Sequence, residues 1–199
     1  MTFEIELKIQ LQDNEKQKLE SYLSSNEFLG EFTGGFEQMD YYFDTRIPSF
    51  AKNDTALRVR VEKPLNSAEK KVSSIELTYK GKKLNPDSKT RLEYNLYLAP
   101  ESDFTTIENF FNELGFICSF NIFKTRKNYL LEPGVVLSCD TNELGEFIEI
   151  EKIIEDKNSV NTTEEYLWSL LQKMLGNISK DRKIVKSYLE LILESRLSK

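Results

Sequence analysis

Two acidic repeats stand far apart in this chain: Glu4 and Glu6, followed by Lys8, in Phe3-Glu4-Ile5-Glu6-Leu7-Lys8, and Glu149 and Glu151 in Phe147-Ile148-Glu149-Ile150-Glu151. Residues two apart on a strand point to one face, so each repeat would hold two carboxylates roughly 7 Å apart at the backbone. Cations recur with the same spacing, as Arg58 and Arg60 and as Lys124 and Arg126, with Lys80 alone and Arg91 two residues before Glu93. Arg and Lys donors suit the oxygens of a polyphosphate. Carboxylates facing the same space would be repelled by it unless divalent metal ions lay between them. Mg²⁺ or Mn²⁺ meets that need, because both take oxygen ligands and require neither His nor Cys.

The absence of histidine narrows the chemistry further. Triads built on imidazole, His-ligated zinc and a simple imidazole base are unavailable, which leaves carboxylates, Lys, Arg, Tyr, Ser or a hard metal. Cys118 and Cys139 are too few for a disulfide framework or a sulfur-rich zinc site and read as reduced, partly buried thiols. A net charge of -6 argues against a general nucleic-acid binder. Apolar runs such as Tyr129-Leu130-Leu131 are too short to span a bilayer, and Met1-Thr2-Phe3-Glu4 lacks a signal-peptide profile. These features predict a cytoplasmic protein with no membrane or nucleic-acid partner, a monomer or homodimer, in one domain over residues 1–199.

The elements that must position these charges are mostly strands. Phe3 to Gln12 alternates apolar and charged residues, and similar alternation recurs in Asp40 to Asp44, Ala56 to Glu62, Ser74 to Lys80, Thr90 to Leu98, Phe120 to Leu131, Val135 to Asp140 and Gly145 to Ile153. Helical spacing predicts helices over about 13–25 with Asp13 as N-cap, about 102–115, about 162–175 and about 180–196. Gly34-Gly35 reads as a loop, and Pro64 to Val72 and Gly81 to Lys89 as polar connections. The opposite faces of the charged strands are apolar, as in Leu57, Val59 and Val61, Ile75 and Leu77, and Leu92. An open sheet with a wet charged face would explain any one strand. Six strands with the pattern favour an α+β fold in which eight mostly antiparallel strands close into a barrel with a polar lumen and amphipathic helices outside. Tyr41, Tyr42 and Asp44 read as packing and a turn, Trp168 as core, and Lys186 as a cation that reaches the tunnel mouth.

Glu4-Ile5-Glu6-Leu7-Lys8 resembles the ExExK signature of the CYTH superfamily, the triphosphate tunnel metalloenzymes. Further matches follow in order: Tyr41-Tyr42-Phe43-Asp44-Thr45, Leu57-Arg58-Val59-Arg60, Leu77-Thr78-Tyr79-Lys80-Gly81, Arg91-Leu92-Glu93, Lys124-Thr125-Arg126, Asp140, Leu144 to Glu151, and Ser187-Tyr188-Leu189-Glu190-Leu191-Ile192. The resemblance implies an eight-stranded antiparallel tunnel that binds a triphosphate with Mg²⁺ or Mn²⁺. It implies phosphate contacts from Lys8, Arg58, Arg60, Lys80, Lys124 and Arg126, to which the charge pattern adds Arg91 and Lys186. It also implies metal binding or water positioning by Glu4, Glu6, Glu149 and Glu151, with Glu93 and Asp140. Glu4, Glu6, Lys8 and Glu93 are the candidate catalytic groups.

Many members carry a carboxylate two residues after the one matched by Glu93, where this chain has Asn95. The expected reaction is hydrolysis of inorganic or organic triphosphate. The alternatives are a class IV adenylate cyclase, whose members carry a His-Phe pair before the ExExK strand that this chain lacks, and a non-catalytic polyphosphate or nucleotide module.

Overall fold

The computed structural model describes residues 3–47, 49–66, 71–83 and 91–197, the side chains of Phe3 and Lys157 excepted. Its strands are β1 (Phe3–Gln10), β2 (Glu31–Thr45), β3 (Ala56–Pro64), β4 (Ser74–Lys83), β5 (Arg91–Leu98), β6 (Phe116–Glu132), β7 (Val135–Asn142) and β8 (Gly145–Ile154). The helices are α1 (Asp13–Leu23), α2 (Phe104–Glu113), α3 (Val160–Leu175) and α4 (Tyr188–Leu197). The strands form one sheet in the order β1-β8-β7-β6-β2-β3-β4-β5, with antiparallel pairing. The fold is therefore α+β around an eight-stranded antiparallel sheet, with β1 and β5 at the ends of the order. Among the described residues, 3–34 and 126–197 make one compact unit, and those within 35–83 and 91–125 make a second.

In the first unit the alternation of β1 buries Ile5, Leu7 and Ile9 together with Leu137 of β7 and Ile148 and Ile150 of β8. Leu167, Trp168, Leu171 and Leu175 of α3 cover them, with Leu19 of α1, so Trp168 is a core residue. Each large aliphatic side chain buried in this way contributes about 1.5–3 kcal/mol. The N-cap of α1 is Gln12 rather than Asp13. The Gln12 backbone N–H donates to Glu15 Oε2 at 2.9 Å, while Glu15 also accepts from Arg182 Nη2 at 2.9 Å. The helix expected over about 180–196 begins only at Tyr188. Ahead of it the chain makes a short 3₁₀ turn at Lys180–Arg182, and Ile184 N–H then donates to the Lys8 carbonyl at 2.8 Å. Ser187 and Glu190 start α4 with a reciprocal capping box, each side chain accepting from the other's backbone N–H at 2.7 and 3.2 Å.

In the second unit Phe43 of β2, Val59 of β3 and Ile75 of β4 bury one sheet face against Phe111 of α2. Tyr41 stacks on Phe104 with ring centroids 3.8 Å apart, and Phe43 meets Phe111 at 4.7 Å. Asp103 caps α2 by accepting from the Thr106 N–H at 3.1 Å. Gly34 and Gly35 lie within β2, not in a loop. A Cβ on Gly35 would come within 2.9 Å of Leu65 Cδ1, so a larger residue there would make that side-chain end shift. Asp44 organises a turn, its Oδ1 accepting from the N–H groups of Thr45, Ser49 and Phe50 at 2.7, 3.0 and 3.2 Å. Gly81 to Lys83 extend β4, against the expected connection; residues 84–90, and 67–70 of the other expected connection, lie outside the described residues.

Candidate functional site

The charged strand faces are buried in part: Glu4 is exposed and Glu6, Arg60, Lys80, Arg91, Glu93, Arg126 and Glu151 are half-buried, but their centres are withdrawn from solvent. Lys124 and Asp140 are 1% exposed, Lys8 2% and Asp40 3%, with Glu149 and Arg58 also buried. Placing such ions in low dielectric costs several kcal/mol each unless partners compensate, and each unit supplies those partners by the register of its strands.

In the first unit Lys8 of β1 lies opposite Glu149 of β8. Its Nζ is 2.7 Å from Glu149 Oε1, 3.9 Å from the Tyr188 ring centroid, and donates to the Lys186 carbonyl at 3.5 Å. Arg126 of β6 makes a two-pronged bond to Asp140 of β7, Nε to Oδ1 at 2.7 Å and Nη2 to Oδ2 at 2.6 Å, and Nη2 also reaches Glu149 Oε2. Glu149 thus bridges the two cations. Burial opposes the charge on Arg126, but Asp140 and Glu149 outweigh it and hold the guanidinium well above its ordinary pKa. Burial, with Glu149 and Asp140 beside it, raises the Tyr188 phenol far above the ordinary tyrosine range. The Tyr188 ring stands edge-on to Phe147 at 5.2 Å, so packing fixes its position under the ammonium.

In the second unit the register places Tyr42, Asp40 and Gln38 of β2 opposite Arg58, Arg60 and Glu62 of β3, and Thr78 and Glu76 of β4 on their other side. Arg60 donates to Asp40 through Nε at 2.6 Å and Nη2 at 2.7 Å. Arg58 Nη2 donates to Glu76 Oε2 and Thr78 Oγ1, both at 3.0 Å, and Nη1 lies 3.9 Å from Asp40. Burial would raise the Asp40 carboxyl, yet Arg60, Arg58 and Lys124 hold it well below the usual carboxylate range. Burial and the neighbouring Asp40 push the Tyr42 phenol up to about 12. Arg58 Nε is buried and has no hydrogen-bond partner.

Lys80 and Glu93 face each other across β4 and β5 with 2.7 Å between Nζ and Oε1, and Asn95 lies opposite Thr78 on the same face. Arg91 donates to the Gly81 carbonyl at 3.4 Å. Lys186 is exposed, and its ammonium is 2.7 Å from Glu194; its carbonyl, not its side chain, meets Lys8. Of the candidate metal ligands, Asp140, Glu149 and Glu93 have cations as partners. Glu6 of β1 stands directly opposite Glu151 of β8, with the exposed Glu4 two residues along the same face.

Among the described residues no three carboxylates or cysteines gather as a ready metal cage. Like charges directly opposite on a ladder are destabilising, and both side chains offer hard oxygens. In donor chemistry the Glu6 and Glu151 pair therefore fits a hard divalent ion such as Mg²⁺ or Mn²⁺.

Asp40, Glu76 and Tyr188 belong to these networks and were not singled out from the sequence. The period-2 rule could have found the first two: Asp40 shares a face with Tyr42, and Glu76 with Thr78 and Lys80. Tyr188 falls in the matched Ser187-Tyr188 segment, but alternation gives it no role, because the turn before α4 sets where its ring points.

In each unit one sheet face packs against helices while side chains of the other carry paired cations and carboxylates. The CYTH domain profile matches residues 2–188, and the chain belongs to the CYTH family. It is similar to a Methanocaldococcus jannaschii protein provisionally named an adenylate cyclase, with 34% identity over 94% of this chain and 97% of the relative. A solved Pyrococcus horikoshii OT3 protein is 32% identical with a TM-score of 0.79, covering 97% of this chain and 99% of that one. The structure of a Hippeastrum protein, a proposed adenylyl cyclase described as having a dominant triphosphatase activity, superposes with a TM-score of 0.58. That likeness covers 90% of this chain and 93% of the other at 20% identity and speaks for the fold. No described helix is long and apolar enough to cross a membrane.

Proposed function

We propose that this protein is a divalent-metal-dependent triphosphatase that releases orthophosphate from a triphosphate. The observation that carries the reading is the orphaned, buried Nε of Arg58, a charged donor beside Arg60 with no acceptor. A buried unsatisfied donor of this kind costs about 1–3 kcal/mol, and a phosphate oxygen would satisfy it. Membership of the CYTH family supports the reading, and so does the triphosphatase activity ascribed to the Hippeastrum protein. Closure of the sheet into a tunnel is part of the proposal.

Arg58, Arg60, Lys80, Arg91, Lys124, Arg126 and Lys8 supply the phosphate donors. Asp40 and Glu149 keep Arg60 and Lys8 oriented before substrate arrives, so little reorganisation is needed as charge develops on the transferred phosphoryl group. Glu6 and Glu151, with Glu4, would hold Mg²⁺ or Mn²⁺. The ion, when bound, would neutralise phosphate charge and render a coordinated water more acidic. The carboxylates of this face also orient the attacking water.

The second reading is adenylate cyclase, favoured by the name of the Methanocaldococcus jannaschii relative. Phosphorus NMR of reactions with tripolyphosphate, ATP and thiamine triphosphate, each with Mg²⁺ or Mn²⁺, separates the two. Orthophosphate release is expected. Stoichiometric cyclic AMP and pyrophosphate from ATP would establish the cyclase instead, and no product from any substrate would leave a binding module.

A further inference from the structure

The polar face of the second unit changes character along its strands. Around Arg58 and Arg60 it offers donors, including the orphaned Arg58 Nε. Beyond Arg60 it offers acceptors: Gln38 Nε2 donates to Glu62 Oε1 and Ser74 Oγ donates to Glu62 Oε2 at 2.7 Å, while Glu76, opposite Arg60 and bonded to Arg58, stands between the two ends and pairs with Tyr97 of β5. Gln38 is only 2% exposed, and its Oε1 is buried with no hydrogen-bond partner. Both protons of its amide cannot substitute for that acceptor, so the carbonyl is available to an incoming N–H or O–H. Tyr97 is 75% exposed and sits on this same face. Glu76 and Glu62 beside it raise its phenol pKa, with burial and a hydrogen bond to Glu76 contributing.

The two orphaned atoms have opposite needs. Arg58 pairs with Tyr42, four residues from Gln38 along β2, which is roughly 13 Å at the backbone. Phosphate oxygens suit the Arg58 end and are repelled by Glu62 at the other. A group bearing N–H donors suits the Gln38 end, where a phosphate would meet the Glu62 carboxylate and an unsatisfied carbonyl. An exposed aromatic ring beside those acceptors is a stacking surface for a planar heterocycle.

We propose that Gln38, Glu62 and Tyr97, with Ser74 and Glu76 in support, form a subsite for the organic end of the substrate, an amino-substituted heteroaromatic ring. The inference rests on the triphosphate reading and narrows it: the preferred substrate is an organic triphosphate, and inorganic tripolyphosphate is the poorer one. Gln38 accepts from the ring's amino group, and Tyr97 covers its face. A site that hydrogen-bonds a substrate N–H discriminates strongly against an analogue lacking it.

The experiment compares wild type with Gln38→Met, Tyr97→Ala and Tyr97→Phe on ATP, thiamine triphosphate and tripolyphosphate, each variant first checked by thermal melt. Gln38→Met and Tyr97→Ala are expected to lower kcat/KM for one or both ring-bearing substrates by about tenfold and to leave tripolyphosphate within about twofold. Tyr97→Phe, which keeps the ring, is expected to restore most of the loss. The pattern across the two organic substrates identifies which ring is accommodated. Equal losses on tripolyphosphate, or none on either organic substrate, would overturn the subsite while leaving triphosphatase activity standing. If wild type hydrolyses none of the three, the triphosphatase reading fails separately, and titration calorimetry with ATP and tripolyphosphate still tests the subsite. There, tighter ATP binding that Gln38→Met abolishes supports it, and equal affinities refute it.

Discussion

Glu6 stands directly opposite Glu151 across the β1–β8 ladder, two residues from the Lys8–Glu149 salt bridge. The register that pairs a cation with a carboxylate at one position places two carboxylates opposite each other at the next. On the proposed metal binding, the protein is expected to melt at higher temperature with Mg²⁺ or Mn²⁺ than after dialysis against EDTA. Turnover that persists undiminished in excess chelator would contradict the metal requirement.

Replacing Glu151 by Gln separates stability from activity. The substitution removes one of two like charges placed opposite each other on the ladder, so the metal-free protein should melt at the same or a higher temperature. Hydrolysis should collapse at the same time, and the metal-induced rise in melting temperature should shrink. A variant that keeps wild-type turnover and the full rise would remove Glu151 from the site.

Asp40 is expected to behave in the opposite way. It is buried between Arg60 and Arg58, so Asp40→Ala should cost about 3–5 kcal/mol by leaving buried cations uncompensated. Its carboxyl is held below the usual range in the folded state, whereas an unfolded aspartate titrates near about 3.9. The stabilisation is therefore full above that pH and is lost as pH falls further toward the folded value. Urea melts of wild type and variant from pH 6 down should show the gap narrowing only on the acid side of about pH 4.

Tyr188 offers a ring to the Lys8 ammonium at 3.9 Å. Such a contact is worth about 0.5–2 kcal/mol. Tyr188→Leu should lower kcat/KM by about 2- to 30-fold, and Tyr188→Phe, which keeps the ring, should recover most of it. Equal effects from both would assign the role to the hydroxyl and its neighbour Asp140.

Much of this arrangement is legible because a strand's period is two. The alternation of β1, β3 and β8 predicts which side chains pack under α2 and α3 and which share the charged face. Alternation says nothing about who pairs with whom. Arg126 with Asp140, and Arg60 with Asp40, depend on strand register, which is set by turns and neighbours far away in sequence. The start of α4 was missed for a different reason. Ile184 and Val185 continue an apolar pattern, but the capping box of Ser187 and Glu190 and the pairing of Ile184 with Lys8 end any helix before Tyr188.

The segment that precedes α4 holds Lys8 twice: Ile184 through the peptide carbonyl and Lys186, 178 positions further along the chain, through the ammonium. A site begun in β1 is thus completed only by residues that follow α3. A nascent chain has no finished Lys8 pocket until this segment emerges from the ribosome. Proteolytic clipping between α3 and α4 would return the molecule to that unfinished condition, even with the sheet and its core intact.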